Sequence, residues 1–232
     1  MLAFYFKKDT TMNIALIGAT GFVGTAVLAE LLQRGHTVTA LVRDPAKAAL
    51  PAGVNTIVAD AADAASVAAG VRGADAVISA FNPGWTAPDL YDKFLRGSAA
   101  IEQGVADAGV KRFLIVGGAG SLFVAPGVQL VDTPNFTDHV PANVVPGAQA
   151  ARDALTRIRA NTVLDWTYLS PPAMLAPGAR TGAYRVGADD LLMDGAAPAG
   201  ISVADLAVAI VDEIEQPKHV KARFTVAATP AQ

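Results

Sequence analysis

Hydrophobic positions along this chain form short continuous runs that alternate with longer stretches of helical period. Runs such as AVISA and FLIVG are almost continuously apolar, which is typical of strands buried on both faces of a parallel sheet. Strands that alternate with helices predict an α/β fold, a doubly wound parallel sheet with helices on both faces. The predicted strands are 13–17, 37–42, 56–59, 76–80, 112–116, 165–169 and 223–227, and the predicted helices are 22–34, 64–69, 90–108, 148–160 and 203–215.

The first predicted strand leads directly into GATGFVG, which has a glycine at every third position. Gly18 would allow a tight turn off the strand, and Gly21 would let the backbone approach a phosphate. Gly24 would let the helix pack closely on the strand, while Thr20 offers a hydroxyl to the same phosphate. A strand, a glycine turn and a helix in this order predict dinucleotide binding at the helix N-terminus. The candidate residues of the turn are Gly18, Thr20, Gly21, Phe22, Val23 and Gly24.

Two long segments interrupt the alternation of strands and helices. Residues 117–147 are rich in Gly, Pro, Val and Asp, and residues 171–200 contain a proline pair and two short β-like pieces. Loops of this length in a compact domain are usually functional or disordered. Because both follow strands of the second half, we expect substrate-lid segments near 122–147 and 173–200, over the carboxyl ends of the sheet.

Length and composition limit the number of domains and the kinds of site. The 232 residues predict a single domain over 12–232. Residues 1–11 are interpreted as an N-terminal extension, either disordered or added upstream of a start at residue 12, with an extra edge strand as the alternative. The absence of cysteine excludes disulfides and thiolate chemistry. His36, His139 and His219 lack metal-ligand spacing, so no metal site is expected.

Charge and hydropathy indicate which partners to expect. The net charge is −3 and the basic residues are scattered, so nucleic acid is not an expected partner. Alanine supplies much of the 52% hydrophobic fraction, and no apolar stretch reaches the roughly 18 residues of a membrane span. We expect a cytoplasmic protein, a monomer or homodimer, with a small planar substrate and no membrane partner.

With the glycine turn, the chain resembles the extended and atypical branch of the short-chain dehydrogenase/reductase superfamily. It is similar in particular to a group of NAD(P)H-binding proteins that includes NmrA-like proteins, NADH-flavin reductases and biliverdin reductase B-like enzymes. The stretches that carry this resemblance are NIALIGATGFVG, ALVRDP, VAD, GADAVISAF, GVKRFLIVGGAGS and LDWTYLSPP, within residues 12–228. The resemblance implies an NAD(P)-binding Rossmann fold.

Two residues at or after the ends of strands are candidates to contact the adenosine half of such a cofactor. Arg43 ends the second strand, where an acid would bind the ribose 2′-hydroxyl of NAD and an arginine would bind the 2′-phosphate of NADP. NADP(H) is therefore favoured over NAD(H), although Asp44 follows directly and an exposed surface arginine is the alternative. The resemblance places Asp60, with Ala61 beside it, near the adenine amine. The alternative for Asp60 is to cap the following helix.

Three further strand ends are expected to surround the nicotinamide half of the cofactor. The fourth strand would line the phosphate and ribose side, the turn after the fifth would let the ring come close, and the prolines after the sixth would form a wall. Phe81 could instead belong to the core, and the proline pair could simply end its strand. The candidate residues are Ser79, Ala80, Phe81, Gly117, Gly118, Ala119, Pro171 and Pro172.

The chain lacks the Tyr-x-x-x-Lys dyad with which carbonyl reductases of this superfamily protonate their product. Four residues after Tyr5, Tyr91, Tyr168 and Tyr184 stand Asp9, Leu95, Pro172 and Ala188. A planar conjugated acceptor, such as a free flavin used as a substrate and not held as a prosthetic group, spreads the incoming charge and can take its proton from water. The sequence therefore predicts an NAD(P)H-dependent oxidoreductase that passes a hydride from nicotinamide C4 to such an acceptor.

Ser121 and His139 are the candidate catalytic residues. The alternatives are a serine that caps its loop and a solvated loop histidine.

Two other functions fit the same cofactor motif. An NmrA-like protein that senses NADP(H) without turnover would also lack the dyad. A sugar-nucleotide epimerase or dehydratase shares the glycine turn, but its chemistry needs the dyad and usually a larger C-terminal lobe.

Overall fold

A computed structural model describes residues 11–230 of the chain, so the extension predicted for residues 1–11 lies outside the described residues apart from its last position. The strands are β1 (Asn13–Ile17), β2 (Thr37–Val42), β3 (Asn55–Val58), β4 (Ala76–Ser79), β5 (Arg112–Val116), β6 (Phe123–Ala125), β7 (Val128–Gln129), β8 (Asp165–Ser170), β9 (Met174–Ala176), β10 (Tyr184–Gly187), β11 (Met193–Asp194), β12 (Ala197–Pro198), β13 (Gly200–Ser202) and β14 (Ala222–Ala228). The helices are α1 (Phe22–Gln33), α2 (Ala64–Val71), α3 (Leu90–Asp107), α4 (Phe136–His139), α5 (Val145–Ile158) and α6 (Val203–Glu215).

The main sheet has the strand order β10-β14-β8-β5-β4-β1-β2-β3 and is parallel except for β10. The predicted doubly wound α/β fold is confirmed, and each of the predicted strands is present with bounds within one residue of those expected. The remaining strands form small two-stranded pairs, β6 with β7, β9 with β13 and β11 with β12.

Two elements differ from the sequence prediction. β10 pairs antiparallel with β14 at the sheet edge, so this part of the predicted lid segment 173–200 belongs to the main sheet. Helix α5 begins at Val145, three residues earlier than expected. Its proline lies in the first turn, where a missing N–H group breaks no hydrogen bond of the helix.

The helices cover both faces of the sheet, and β1 shows how the two core layers divide. Ile14 and Leu16 pack into the layer that contains α1 and α6, whereas Ala15 and Ile17 pack into the layer under α2, α3 and α5. Strand β1 lies between β2 and β4, and the chain reverses its winding at this point. Ligands of doubly wound sheets bind at the carboxyl ends of the strands beside such a reversal. Within the described residues, every helix is too short or too polar to cross a bilayer.

Candidate active site

The glycine turn between β1 and α1 has a conformation that excludes larger residues. Gly18 has φ +83°, and a Cβ atom there would lie 2.4 Å from the carbonyl oxygen of Ala80. A Cβ atom at Gly24 would lie 2.0 Å from the carbonyl oxygen of Gly18, because α1 passes so close to the turn. Positive φ and close backbone packing therefore account for two of the three motif glycines.

The N-terminus of α1 offers backbone donors to solvent. Gly21 is the N-cap residue and supplies no side-chain acceptor to the first turn. The first N–H groups of a helix have no partner within the helix, and they lie at the positive end of its dipole. Thr20, Gly21 and Phe22 are exposed here, and Val23 is half-buried. This geometry fits a phosphate group.

A cleft of about 800 Å³ extends from the glycine turn along the carboxyl ends of β1 to β4. We call it the charged cleft, because the ionisable residues that line it are Arg43, Asp44, Lys47, Asp60, Lys93 and Arg96. The structure thus brings the following sequence-predicted residues to one cavity: Gly18, Thr20, Gly21, Arg43, Asp60, Ala61, Ala80 and Phe81.

Arg43 and Asp44 are neighbours in sequence but differ in their contacts. The Asp44 carboxylate accepts a hydrogen bond from the backbone N–H of Ala46 at 3.1 Å and pairs with the Lys47 ammonium at 3.2 Å. It therefore caps the short 3₁₀ turn that follows β2. Arg43 is exposed at the cleft and makes no hydrogen bond or ion pair within the described part of the chain. Its guanidinium is therefore available to an anion.

Asp60 lies at the cleft but does not cap the helix after it. Its carboxylate accepts a hydrogen bond from the backbone N–H of Ala62 at 2.9 Å, which closes a local turn. The N-cap of α2 is Asp63, whose carboxylate accepts from the N–H of Ala65 at 3.0 Å. The capping alternative for Asp60 is therefore wrong, because a second aspartate three residues later takes that position.

A second cavity, of about 360 Å³, continues from the charged cleft toward the carboxyl ends of β5 and β8. The two cavities share Gly21, Ala80, Phe81 and Asn82. In the described chain, no residue that lines the second cavity is acidic, basic or histidine, and its polar side chains are those of Asn82 and Trp85. We call it the apolar pocket.

Most of the residues predicted to surround nicotinamide line the apolar pocket. These residues are Ala80, Phe81, Gly117, Gly118, Ala119, Pro171 and Pro172, and they are joined there by Gly21, Phe22 and Val23 of the glycine turn. Pro171 and Pro172 are both buried directly after β8, so they end the strand and form a wall as well. The Phe81 ring also packs into the structure, since a Cβ atom at Gly97 would lie 2.4 Å from it.

The glycine at the end of β5 has a structural partner that sequence reasoning missed. A Cβ atom at Gly117 would lie 2.0 Å from the ring of Tyr168 on β8. The Tyr168 hydroxyl donates a hydrogen bond to the carbonyl oxygen of Ala151 at 2.7 Å, fully buried. Burial raises the pKa of this tyrosine, so its hydroxyl stays protonated. The Tyr168 ring therefore leaves no room for a side chain at Gly117. Gly117 also lines the pocket.

Ser79 does not reach either cavity. It is 4% exposed and pairs within the sheet with Ile17 of β1 and Ile115 of β5. The next two residues, Ala80 and Phe81, lie beyond the end of the strand and line both cavities. The prediction that Ser79 contacts the cofactor is therefore corrected, because it lies one residue too early on β4.

Ser121, the first candidate catalytic residue, is buried behind the pocket and 1% exposed. Its hydroxyl donates to the carbonyl oxygen of Gly118 at 3.2 Å and lies 3.2 Å from the Ser170 hydroxyl and 3.3 Å from the Arg223 guanidinium. These contacts make Ser121 a serine that holds its own loop, so its proposed catalytic contact is corrected.

His139, the second candidate, is the last residue of α4 and is exposed. It lines neither cavity, and its position matches the solvated loop histidine given as the alternative.

Sequence reasoning also missed two residues that the tertiary structure adds to the charged cleft. Lys93 and Arg96 line the charged cleft from α3, three residues apart on one helix face. Their spacing was visible, but no motif connected this helix with the glycine turn. In the apolar pocket, Trp85 contributes its ring from the loop before α3, and Phe136 contributes its ring from the first position of α4.

Residues 18–217 match a family model described as NAD(P)H-binding. The chain belongs to this NAD(P)H-binding family. An uncharacterized protein of Bacillus subtilis, YwnB, is 37% identical over 224 residues, which cover 93% of this chain and 98% of the relative.

Two crystal structures share both the fold and much of the sequence. A candidate epimerase from Bacteroides thetaiotaomicron superposes with a TM-score of 0.86 at 43% identity, covering 96% of this chain and 99% of that one. A candidate NADH-flavin reductase from Streptococcus pneumoniae superposes with a TM-score of 0.79 at 33% identity, covering 94% and 100%. With the family match, they confirm the resemblance to atypical short-chain dehydrogenase/reductase proteins, and NAD(P)H is the cofactor of this family.

Proposed function

We propose that this protein is an oxidoreductase that passes a hydride from NADPH to a planar conjugated acceptor such as a free flavin. One observation carries the proposal: the glycine turn borders an apolar pocket that, in the described chain, has no ionisable lining residue. The likeness to a candidate NADH-flavin reductase supports the same reaction class.

The residues present fit a nicotinamide dinucleotide. The close approach of Gly18 and Gly24 makes room for a diphosphate at the N-terminus of α1, where the backbone N–H groups of Phe22 and Val23 would hold it. When bound, the cofactor supplies a hydride with both electrons of its C4–H bond, and the reduced acceptor takes one proton from water. The chain itself positions the reactants, and such positioning can lower the activation free energy by roughly 7–11 kcal/mol.

The hydroxyls of the described tyrosines form hydrogen bonds elsewhere. The proposed acceptor is therefore one that needs no proton donor from the protein. Among the described residues, the Tyr91 and Tyr184 hydroxyls donate to Asp153 and Asp212, each at 2.6 Å, and Tyr168 donates to a buried carbonyl. None of these hydroxyls lines the apolar pocket. A simple ketone would develop alkoxide charge with no donor beside it, whereas a conjugated ring delocalises that charge.

The charged cleft favours NADP(H) over NAD(H). The acid that could bind a 2′-hydroxyl, Asp44, is held by Ala46 and Lys47, while Arg43 is exposed without a protein partner in the described chain. An arginine in this position offers paired N–H donors to a 2′-phosphate.

Absorbance at the nicotinamide band tests the proposal directly. Purified protein is mixed with NADPH and with riboflavin, FMN, a quinone or a linear tetrapyrrole in turn, and with a simple ketone as the control acceptor. We expect turnover with at least one planar acceptor and none with the ketone. NADPH that binds in calorimetry but is oxidised by none of these acceptors would refute the reductase function.

A nucleotide sensor without turnover is the second candidate, and the same lack of an ionisable group in the apolar pocket supports it. It predicts that NADP⁺ and NADPH bind and change the affinity for a protein partner. Epimerase chemistry, suggested by the name of one similar structure, ranks lower because it needs an acid-base group that the pocket does not offer.

A further inference from the structure

We infer that the apolar pocket selects electrically neutral planar acceptors and excludes those with an anionic group on the ring. This inference rests on the proposed function and narrows its substrate class to neutral quinones and flavin rings without charged ring substituents.

The walls of the pocket carry no compensation for a charge. Glycines, alanines and prolines at the ends of β5 and β8 line one part of the pocket, and aromatic and aliphatic side chains with Asn82 line the rest. Phe22 and Trp85 are 53% and 48% exposed, so two large aromatic surfaces remain accessible at the pocket. Small residues beside aromatic side chains suit a ring that binds through its faces.

The charged residues of α5 that follow the pocket residue Ala151 are engaged in ion pairs and hydrogen bonds. Arg152, next to the pocket residue Ala151, pairs with Asp132 at 2.7 Å and with Asp153 at 2.8 Å. Asp153 also accepts a hydrogen bond from Tyr91. The cations of α3 line the charged cleft and not this pocket.

An anionic acceptor would therefore lose its hydration without gaining a charged partner. Burial of a charge without a compensating group is costly. The phosphates of a cofactor in the adjoining cleft would add repulsion, since the two cavities share lining residues and are continuous. A neutral ring loses no comparable hydration.

Equilibrium binding to the protein saturated with 1,4,5,6-tetrahydro-NADP tests this inference, because this analogue has an uncharged ring like that of NADPH but donates no hydride, so only the acceptor site is measured. The matched probes are 1,4-naphthoquinone and 1,4-naphthoquinone-2-sulfonate, which share a ring system and differ by one charge. The chain has no cysteine, so thiol adducts with the quinones do not interfere. We expect calorimetry to give a Kd for the neutral quinone at least about tenfold below that of the sulfonate.

A cation placed in the pocket should reduce or abolish this preference. Val140 is half-buried and lines the pocket, so Val140→Lys should improve sulfonate binding by about tenfold while Val140→Gln should not. Val128→Lys is the matched control, because Val128 is 40% exposed and lies outside the pocket.

Equal affinity of the wild-type protein for both quinones, or no response of the sulfonate to Val140→Lys in a folded variant, would overturn the inference. If the neutral preference holds but NADPH is never oxidised, the charge selection stands and the reductase function fails. If NADPH reduces both quinones with equal efficiency, the reductase function stands and the charge selection fails.

Discussion

The charged cleft and the apolar pocket lie side by side at the carboxyl edge of the sheet and share Phe81 and Asn82, yet they differ in chemistry. The cleft has a backbone cradle, with Arg43 exposed at its edge. The pocket has neither acids nor bases within the described residues. The difference separates two tasks, since the cleft can bind a polyanion by charge and the pocket can only bind by shape and burial.

The largest effect on NADPH affinity is expected at the glycine turn, where a side chain does not fit. Gly18→Ala places a Cβ atom 2.4 Å from the Ala80 carbonyl at a positive φ, so the turn must move. We expect NADPH affinity to fall by more than about 100-fold in calorimetry.

Gly35→Ala is the control for the backbone conformation alone. Gly35 has φ +81°, but an added Cβ atom would meet nothing within 4 Å. It should cost about 1–2 kcal/mol of unfolding free energy and leave NADPH binding intact. Near wild-type binding by a folded Gly18→Ala protein would show that the cofactor does not lie against this turn.

The next effect concerns the charge of the cleft. Arg43→Ala removes the exposed guanidinium, and a hydrogen bond to a charged group is worth about 1.5–3 kcal/mol. The Kd for NADPH should therefore rise by about 10- to 100-fold while the Kd for NADH changes little.

Arg72→Ala is the matched control, because Arg72 is an exposed arginine that follows α2 and lines neither cavity. Fluorescence titration with both nucleotides measures these affinities. An equal loss for NADPH and NADH would mean that Arg43 does not bind the 2′-phosphate.

A smaller effect is expected behind the apolar pocket. Tyr168→Phe removes a buried hydrogen bond to the Ala151 carbonyl, which should lower the free energy of unfolding by about 1 kcal/mol. Because this hydroxyl does not line the pocket, the pH profile of acceptor reduction should not change. Denaturant unfolding and kcat measured across pH check the two statements, and a shifted pH profile would mark Tyr168 as a proton donor.

The smallest effects are expected for the two residues that looked catalytic in the sequence. Ser121 is buried against Arg223, and His139 lies outside both cavities. Ser121→Ala and His139→Ala should each change kcat/KM by less than about twofold in folded protein. A tenfold loss in kcat for either variant, with stability preserved, would contradict the proposal that acceptor reduction needs no proton donor from the protein.

Much of the fold and the phosphate cradle could be predicted because their causes are local. Continuous apolar runs predict buried strands, and the spacing of Gly18, Gly21 and Gly24 predicts a turn whose backbone must be bare. The capping of α2 shows the limit even of local reasoning, since Asp60 and Asp63 are the same residue type three positions apart and only Asp63 takes the cap.

Sequence alone determined the alternation of strands and helices, the parallel sheet that this alternation implies and the glycine turn, since residues near one another in the chain specify these features. Only the tertiary structure decided what surrounds the second cavity. Ser121 is buried because Arg223, 102 positions away, bonds to it, and Gly117 is small because Tyr168 from another strand fills its space. The charge of a cavity depends on side chains that distant segments bring to it, and a linear pattern does not encode that proximity.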